Sequence, residues 1–378
     1  LTATRIKRLL SVQNVWDGGG SEKALIRMIR QLRADGWDCH VAIGGPPRLA
    51  EEYARAGATV HVVPMERITT SGGPGRWVRY LLAWPVSVIR LTRLTRRLGI
   101  DVVHTNTLHS WYGWAAAALT RRPHVWQARE IVVQSALALR VERWLTTRFA
   151  RRMVATSNAV AAQFTHPHLE VIFDEVDPGE FRPDRAGAFR ARVGIDDEVP
   201  LVASVGRIDT WKGVDILLDA VPALQAARPD IVVLVAGGSV GGKEAYAAGL
   251  QARADALGVR WVGSRDDVAD LMADLDVYVM ASTEPEPFGL GLVEALASGT
   301  PVVATGAGGP VEILAGLGPS AGCLVPPGDA AALADALLAL VPARSGAAAR
   351  AGRLPLRRPT DGSFVRLFDG LLEAEHGP

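Results

Sequence analysis

The chain has 378 residues, is 48% hydrophobic and carries a formal net charge of +1, which suits two or three folded domains and excludes a disordered chain. No apolar run reaches the roughly 18–20 residues that span a bilayer, and Cys39 and Cys323 lie too far apart for a disulfide framework or a metal spacing, so both read as buried thiols in a reducing cytoplasm. The net charge hides an asymmetry: residues 1–180 carry 24 Lys and Arg against 15 Asp and Glu, and residues 181–378 carry 17 against 25. A basic first half suits a membrane or an anionic acceptor, and equally an ordinary solvated face.

The first ten residues are basic but lack a long apolar core followed by a small-residue cleavage site, so no signal peptide is expected there. Alternation within residues 5–13 predicts a strand that runs into Asp17-Gly-Gly-Gly-Ser-Glu22. A helix-period segment follows (Ala24, Leu25, Met28, Ile29, Leu32) and stops near Gly36. Strands are expected over 39–43, 59–63, 101–105, 124–127 and 153–156. Between them, apolar residues at 77, 81, 84, 88, 91 and 98 make a helical stripe that Pro85 interrupts. Its other faces carry Arg76, Arg79, Arg90, Arg93, Arg96 and Arg97, and residues 140–152 add Arg140, Arg143, Arg148, Arg151 and Arg152. Such basic amphipathic helices suit an anionic lipid surface; they are also what the surface of any Arg-rich protein looks like.

Turn chemistry at 177–184 marks a link around 170–200. A second cycle then begins, with strands over 201–205, 231–236, 259–262, 277–280 and 301–305 and a helix from Val214 to about Ala227. Residues 343–361, rich in Ala, Arg, Gly and Pro, read as a loop, and 363–375 as an amphipathic helix carrying Phe364, Leu367, Phe368, Leu371 and Leu372. Short apolar runs alternating with amphipathic ones indicate two tandem α/β units with parallel sheets.

The chemistry concentrates in a few loops. Glu286-Pro-Phe-Gly-Leu-Gly-Leu-Val-Glu294 sets two carboxylates on either side of a Gly-rich helix start, an arrangement that brackets an elongated anionic ligand with hydroxylated ends. Gly206-Arg207 and Lys212-Gly213 lie between a strand and a helix, where one fork and one point charge can clamp a diphosphate. With 37 Arg and four Lys in the chain, a Lys at this turn carries information. Gly18-Gly19-Gly20 permits close backbone approach to a phosphate or sugar, or is a plain tight turn. It is not a dinucleotide fingerprint, because Lys23 stands where the third Gly would be. Gly237-Gly-Ser-Val-Gly-Gly-Lys243-Glu244 nearly spells a P-loop, but Glu244 replaces the Mg²⁺-binding hydroxyl, so it reads as a flexible turn. His104, Asn106 and His109 follow a strand, as do Gln127, Arg129 and Glu130; polar groups at strand ends face the ligand crevice of an open α/β sheet. His104 alone reads as a structural histidine, and the spacing makes no metal set.

Together these residues resemble the retaining glycosyltransferases of family 4, over nearly the whole chain: Gly19-Gly20, Val102-Val-His-Thr-Asn106, residues 174–183, Gly206-Arg207 with Lys212-Gly213, Glu286-Pro-Phe-Gly with Glu294, and Gly308-Gly309-Pro-Val-Glu312. The resemblance implies the GT-B architecture, two Rossmann-like α/β/α domains facing a central cleft. Residues 1–180 would form the acceptor side, 181–360 the nucleotide-sugar domain, and 361–378 a C-terminal helix near the junction that crosses back to the first domain. It implies that Arg207 and Lys212 neutralise the leaving diphosphate, that Glu286 holds the donor sugar, and that Glu294 holds the ribose. Backbone groups at Phe288, Gly289 and Leu290 would add helix N-terminal stabilisation, and Gly19, Gly20, Gly206, Val262 and Arg265 would line the donor. No metal and no cofactor beyond the donor substrate is implied.

The chain departs from the family's pattern at Asn106 and Gln127, where relatives often carry His, and at Asp174, where Asn is frequent. Asn106 and His109 are the expected acceptor-side catalytic candidates, with His109 standing in for the absent imidazole. The expected partners are a nucleotide-sugar, an acceptor hydroxyl on a polysaccharide, lipid-linked glycan or metabolite, and the inner membrane face, for a cytoplasmic bacterial enzyme with no nucleic-acid role. The rival readings are an epimerase-like protein of the same fold that transfers nothing, and a sugar-nucleotide-binding partner subunit.

Overall fold

A computed structural model describes residues 5–15, 18–45, 48–66, 74–133, 135–239, 241–343, 345–356 and 362–376, with side chains omitted at 74–77, 375 and 376. The chain divides into two units, Leu1–Glu175 with Pro359–Pro378, and Val176–Arg358. The first unit runs β1 (Arg8–Gln13), α1 (Gly20–Ala34), β2 (Asp38–Ile43), α2 (Ala50–Arg55), β3 (Thr59–Val62), α3 (Pro74–Leu98), β4 (Val102–Thr105), α4 (Gly113–Thr120), β5 (His124–Ala128), α5 (Ala136–Phe149), β6 (Arg152–Ala155), α6 (Asn158–Ala161) and β7 (Leu169–Val171). The second, after a 3₁₀ turn at Pro183–Arg185, runs α7 (Ala188–Val193), β8 (Leu201–Val205), α8 (Val214–Ala227), β9 (Val232–Ala236), α9 (Glu244–Ala256), β10 (Arg260–Gly263), α10 (Val268–Asp274), β11 (Val277–Met280), α11 (Leu290–Ala297), β12 (Val302–Thr305), α12 (Gly309–Leu314), β13 (Gly322–Val325), α13 (Ala330–Leu340) and α14 (Ala347–Ala351). Helix α15 (Ser363–His376) then belongs to the first unit.

Each unit is a Rossmann-like parallel sheet. The strand orders are β3-β2-β1-β4-β5-β6-β7 and β10-β9-β8-β11-β12-β13. Central strands such as β4 (Val-Val-His-Thr) and β11 (Val-Tyr-Val-Met) are buried along their length, because helices cover both faces of a parallel sheet. Strand β1 follows suit: five of its six residues are buried, so its burial does not alternate. In each sheet the order reverses beside the first strand, between β1 and β4 and between β8 and β11. Loops at the carboxyl ends of those strand pairs form the crevice where ligands bind in open α/β sheets.

Helix α15 closes the first core. Phe364, Leu367, Phe368 and Leu371 are buried with Leu25, Ile29, Leu32 and Trp37. The Trp37 indole N–H donates to Asp369 at 3.0 Å, and Lys7 Nζ reaches the same carboxylate at 2.8 Å.

Several local expectations need correcting. Strands β7 and β13 carried no sequence signal, being three or four residues long, partly exposed and at the sheet edges. The basic segment 140–152 is not one helix: α5 stops at Phe149, and Arg152 opens β6. Residues 343–361 include α14, which the loop reading missed. Pro85, which interrupts the apolar stripe, lies inside the continuous helix α3. The apolar stripe divides: Val88 and Leu91 are buried, while Leu81 is 66% exposed. Trp77 lies outside the described side chains. Cys39 is buried, and burial pushes its thiol up to about 12. Cys323, expected to be buried, is half-buried on the edge strand β13.

Candidate functional site

The second unit's switch point gathers the loops after β8 and β11. Lys212 ends the first loop. Its Nζ donates to both carboxylate oxygens of Glu286, at 2.9 and 2.7 Å. Glu286 is 7% exposed and is held from several sides. Ser282 Oγ donates to Oε2 at 3.0 Å, the Glu286 N–H donates to the Ala307 carbonyl at 3.2 Å, and the Glu286 carbonyl accepts from the Gly309 N–H at 2.8 Å. Two glycines make this approach possible. A Cβ on Gly213 (φ +66°) would sit 1.8 Å from the Ala281 carbonyl oxygen, and one on Gly308 (φ +78°) 2.1 Å from that of Glu286. The Lys212 ammonium also lies 4.1 Å from the Trp211 ring centroid. An ammonium tied to a nearly buried carboxylate forms a rigid charged pair.

Gly206 follows β8, with its N–H on the Ala236 carbonyl at 2.9 Å. Arg207 is exposed and makes no hydrogen bond among the described residues. Phe288 is buried, Gly289 (φ +103°) caps α11 and Leu290 opens it. Glu294 is buried one turn on. Tyr278, buried on β11, donates its hydroxyl to the Val205 carbonyl at 3.3 Å. Its phenol is pushed up first by burial and then by the charges of Glu286 and Glu294, so both carboxylates act on the same buried group. Val262 is half-buried on β10. The Arg265 guanidinium is engaged by Asp267 through two bonds of 2.7 Å.

Sequence reasoning passed over two contributors. Ser282 braces Glu286. Lys243, set aside with the P-loop look-alike, donates from Nζ to Asp209 Oδ1 and to Thr210 Oγ1, the latter at 3.1 Å. Burial acts to raise the Asp209 carboxyl, and the Lys243 bond and charge outweigh it, leaving the acid below its usual range. Asp209 stands two positions from Arg207, so Lys243 occupies the carboxylate nearest in sequence to that free guanidinium. The signal available was the rarity of Lys in the chain.

The first unit's switch point joins the loops after β1 and β4. Gly18 donates its N–H to Glu22 Oε2 at 2.6 Å, Gly19 caps α1 and Gly20 begins it. Asn106 is fully buried. Its Nδ2 donates to Gln13 Oε1 and the Ser21 carbonyl, both at 2.9 Å, and its Oδ1 accepts from Arg129 Nε at 3.0 Å. Arg129 in turn forms a two-pronged pair with Asp174, at 2.7 and 2.6 Å. The Asn106 amide is thus a hub inside the unit. His104, also buried, meets Ser11 Oγ through Nδ1 and Gln127 Oε1 through Nε2, each at 3.2 Å. Burial above all, with Arg129 and His124 adding to it, lowers its pKa to about 3; the ring is a neutral structural group.

His109 differs. Its side chain is 37% exposed, and its Nδ1 lies 3.1 Å from Glu142 Oε1, which also accepts from Trp111 Nε1 at 3.0 Å. Burial acts to lower the His109 pKa, but the Glu142 bond and the Glu130 and Glu142 charges prevail and raise it. Among the described residues, no three His, Cys, Asp or Glu side chains are grouped as a metal set.

Comparisons with known proteins agree with this geometry. Residues 18–178 match the model "Glycosyltransferase Family 4", and residues 199–342 match "Glycosyl transferases group 1". A D-inositol 3-phosphate glycosyltransferase of Streptomyces scabiei is 31% identical over 388 residues, covering 89% of this chain and 82% of that protein. The chain belongs to glycosyltransferase family 4. A lipopolysaccharide core biosynthesis mannosyltransferase, LpsB of Rhizobium meliloti, is 34% identical over 228 residues; the match takes in 58% of this family 4 chain and 64% of the mannosyltransferase, just under two thirds of its length. Among solved structures, Anabaena HepE in complex with UDP and glucose superposes with a TM-score of 0.74 at 27% identity, covering 87% of this chain and 88% of that one. The family 4 fold here is therefore GT-B, with its two parallel-sheet Rossmann-like domains.

Proposed function

We propose that this family 4 protein is a retaining, metal-independent glycosyltransferase that moves a sugar from a nucleotide-diphosphate-sugar to an acceptor hydroxyl. The observation that carries the reading is the Lys212–Glu286 pair at the second unit's switch point, beside the exposed Arg207 and the N-terminus of α11. In this reading the α11 N-terminus and Arg207 take the diphosphate. Glu286 accepts hydrogen bonds from the sugar hydroxyls, and Lys212 both orients Glu286 and adds positive charge beside the leaving phosphate. Glu294 takes the ribose hydroxyls.

The bond from the anomeric carbon to the phosphate oxygen breaks as the acceptor oxygen attacks from the same face. Attack on that face retains the configuration, and the acceptor's proton passes to the leaving phosphate. Fixed cations and the helix N-terminus meet the developing negative charge, which is the ground for a metal-independent step. The UDP and glucose bound by Anabaena HepE support a nucleotide-diphosphate donor. Hydroxyl-bearing acceptors of the glycan, lipid-linked or small-molecule class fit the relatives' names, and His109, with Nδ1 held by Glu142, is the acceptor-side group open to solvent. The enzyme would work in the cytoplasm, peripherally at the inner membrane face.

A thermal-shift panel of UDP, GDP, ADP and TDP and their sugars tests the donor reading. A nucleotide at about 100 times its Kd adds about 2.7 kcal/mol of stability. Chelator-treated protein that transfers nothing from any of these donors would contradict the metal-independent step, and an inverted anomeric signal in the product's NMR spectrum would contradict retention.

A further inference from the structure

We propose that the N-terminal half of α3 is a wedge that docks this protein onto an anionic lipid bilayer. The inference deepens the acceptor-side reading above and stands on side-chain exposure in the first unit.

Helix α3 is apolar on two faces. One face, including Tyr80, Val88, Leu91 and Leu94, is buried in the first unit's core. The other carries Val78, Leu81, Leu82, Val86 and Ile89, which are 55%, 66%, 71%, 50% and 47% exposed. At about 100° per residue these five fall within an arc of about 140°, so they form one outward ridge roughly 17 Å long. Single exposed apolar residues need no explanation, but five on one helix face do.

The rest of the same helix says what covers the ridge. Its second half turns Arg90, Arg93, Arg96 and Arg97 outward, and Pro74–Leu98 contains no acidic residue. Helix α5 repeats the pattern, with exposed Leu137, Arg140, Trp144 and Arg148 along one line. Ring contacts link the two helices by way of Trp114 on α4: Trp84 to Trp114 at 6.0 Å, Trp114 to Phe149 at 4.1 Å, and Phe149 to Trp144 at 5.8 Å. A two-fold dimer through this face would set arginine rows against each other. An anionic bilayer offers phosphates to the guanidinium groups, hydrocarbon to the leucines, and the boundary layer that indole rings favour. No helix among the described residues is long and apolar enough to cross a membrane, so α3 would lie in the interface.

The test is sedimentation of the full chain with vesicles of phosphatidylcholine alone and of phosphatidylcholine mixed with phosphatidylglycerol. The expected result is pelleting with the anionic vesicles, weak pelleting with the neutral ones, and release by salt. Leu82→Glu should lower the partition coefficient by about tenfold or more while leaving the melting temperature and the donor thermal shift unchanged. Arg93→Glu with Arg97→Glu should weaken binding to the anionic vesicles only. The proposal is overturned if the intact chain ignores anionic vesicles, if Leu82→Glu pellets equally well, or if Leu82→Glu instead abolishes a concentration-dependent dimer. A failed donor reading would appear in the nucleotide panel, which uses no lipid.

Discussion

The two units carry the same device, two loops meeting where a parallel sheet reverses its order, but they build their polar interiors from different chemistry. The first leans on neutral groups, with His104, His124, Asn106, Gln127 and Gln13 all buried, alongside the Arg129–Asp174 pair and the buried Glu22 and Glu142. All eight histidines of the chain fall in its segments. The second uses charge. Arg190 pairs with Asp276 at 2.8 Å, Arg353 reaches Asp276 at 3.2 Å, and Arg350 lies 3.5 Å from Asp274. Asp274 also receives the Phe189 and Arg190 N–H groups at the start of α7, at 2.8 and 3.0 Å. Burial, with Arg350 as a like charge, lowers the Arg190 pKa, yet a guanidinium stays charged where imidazole titrates. The lesson is that one fold tolerates buried imidazoles and amides in one unit and a denser cluster of arginine–aspartate pairs in the other, and the fixed cations of the proposed donor site belong to the second.

The largest expected effect tests that assignment. Lys212→Ala should lower kcat/KM for sugar transfer by about 10²–10³-fold, as for loss of a group that stabilises developing charge. Arg207→Ala is the matching control, since its exposed side chain holds nothing in place: the denaturation midpoint should stay within about 0.5 kcal/mol while the nucleotide thermal shift shrinks. A Lys212→Ala protein that transfers at the parental rate sinks the mechanism. Next comes Asp276→Ala, which takes the paired carboxylate from the buried Arg190 and the half-buried Arg353 and should cost about 3–5 kcal/mol. Urea unfolding followed through Trp211 and Trp261, the second unit's tryptophans, reads it out; a loss below about 1 kcal/mol would break the contrast between the interiors.

The acid response sharpens the contrast from the other side. Burial lowers the His104 and His124 pKa values to about 3, against about 6.5 in the unfolded chain. Between those limits the unfolded state binds protons that the folded state refuses. Stability is therefore full above about pH 6.5 and falls with acid by about 1.4 kcal/mol per pH unit for each ring. Denaturant melts at pH 7 and pH 5, followed by the first unit's tryptophans, should show the loss, and equal midpoints would refute it. His109, whose pKa is raised, works in the opposite sense and trims the effect. The smallest effect is Lys243→Ala. The Lys243–Asp209 pair is partly exposed and should contribute no more than about 1 kcal/mol, but freeing Asp209 to draw in Arg207 should raise the donor KM a few-fold with kcat unchanged.

Much of the fold was legible because its signals are local. Runs such as Val277–Met280 and the helix of Val214–Ala227, which Gly213 opens, announce themselves through composition and turn residues. Edge strands β7 and β13 did not, since three or four half-exposed residues carry no period. In the site, Glu286 and Lys212 were legible as members of separate motifs. Asn106 and Arg265 were read as ligand groups, but the structure engages both inside the protein, with Gln13, Ser21 and Arg129 in one case and Asp267 in the other. No single-position reading can know whether an amide or a guanidinium already has partners.

The sequence by itself determined the two α/β cycles, the glycine turns that follow β1 and β8, and the residue types at the loops of the proposed donor site, because helix period, strand composition and turn chemistry act over a few neighbours. Only the tertiary structure decided that Lys212 clasps a glutamate 74 positions away, that Lys243 reaches back to Asp209, and that α3 turns its Leu81–Leu82 face outward. Those outcomes depend on which loops a parallel sheet brings to one edge and on which of two apolar helix faces finds a core to cover it.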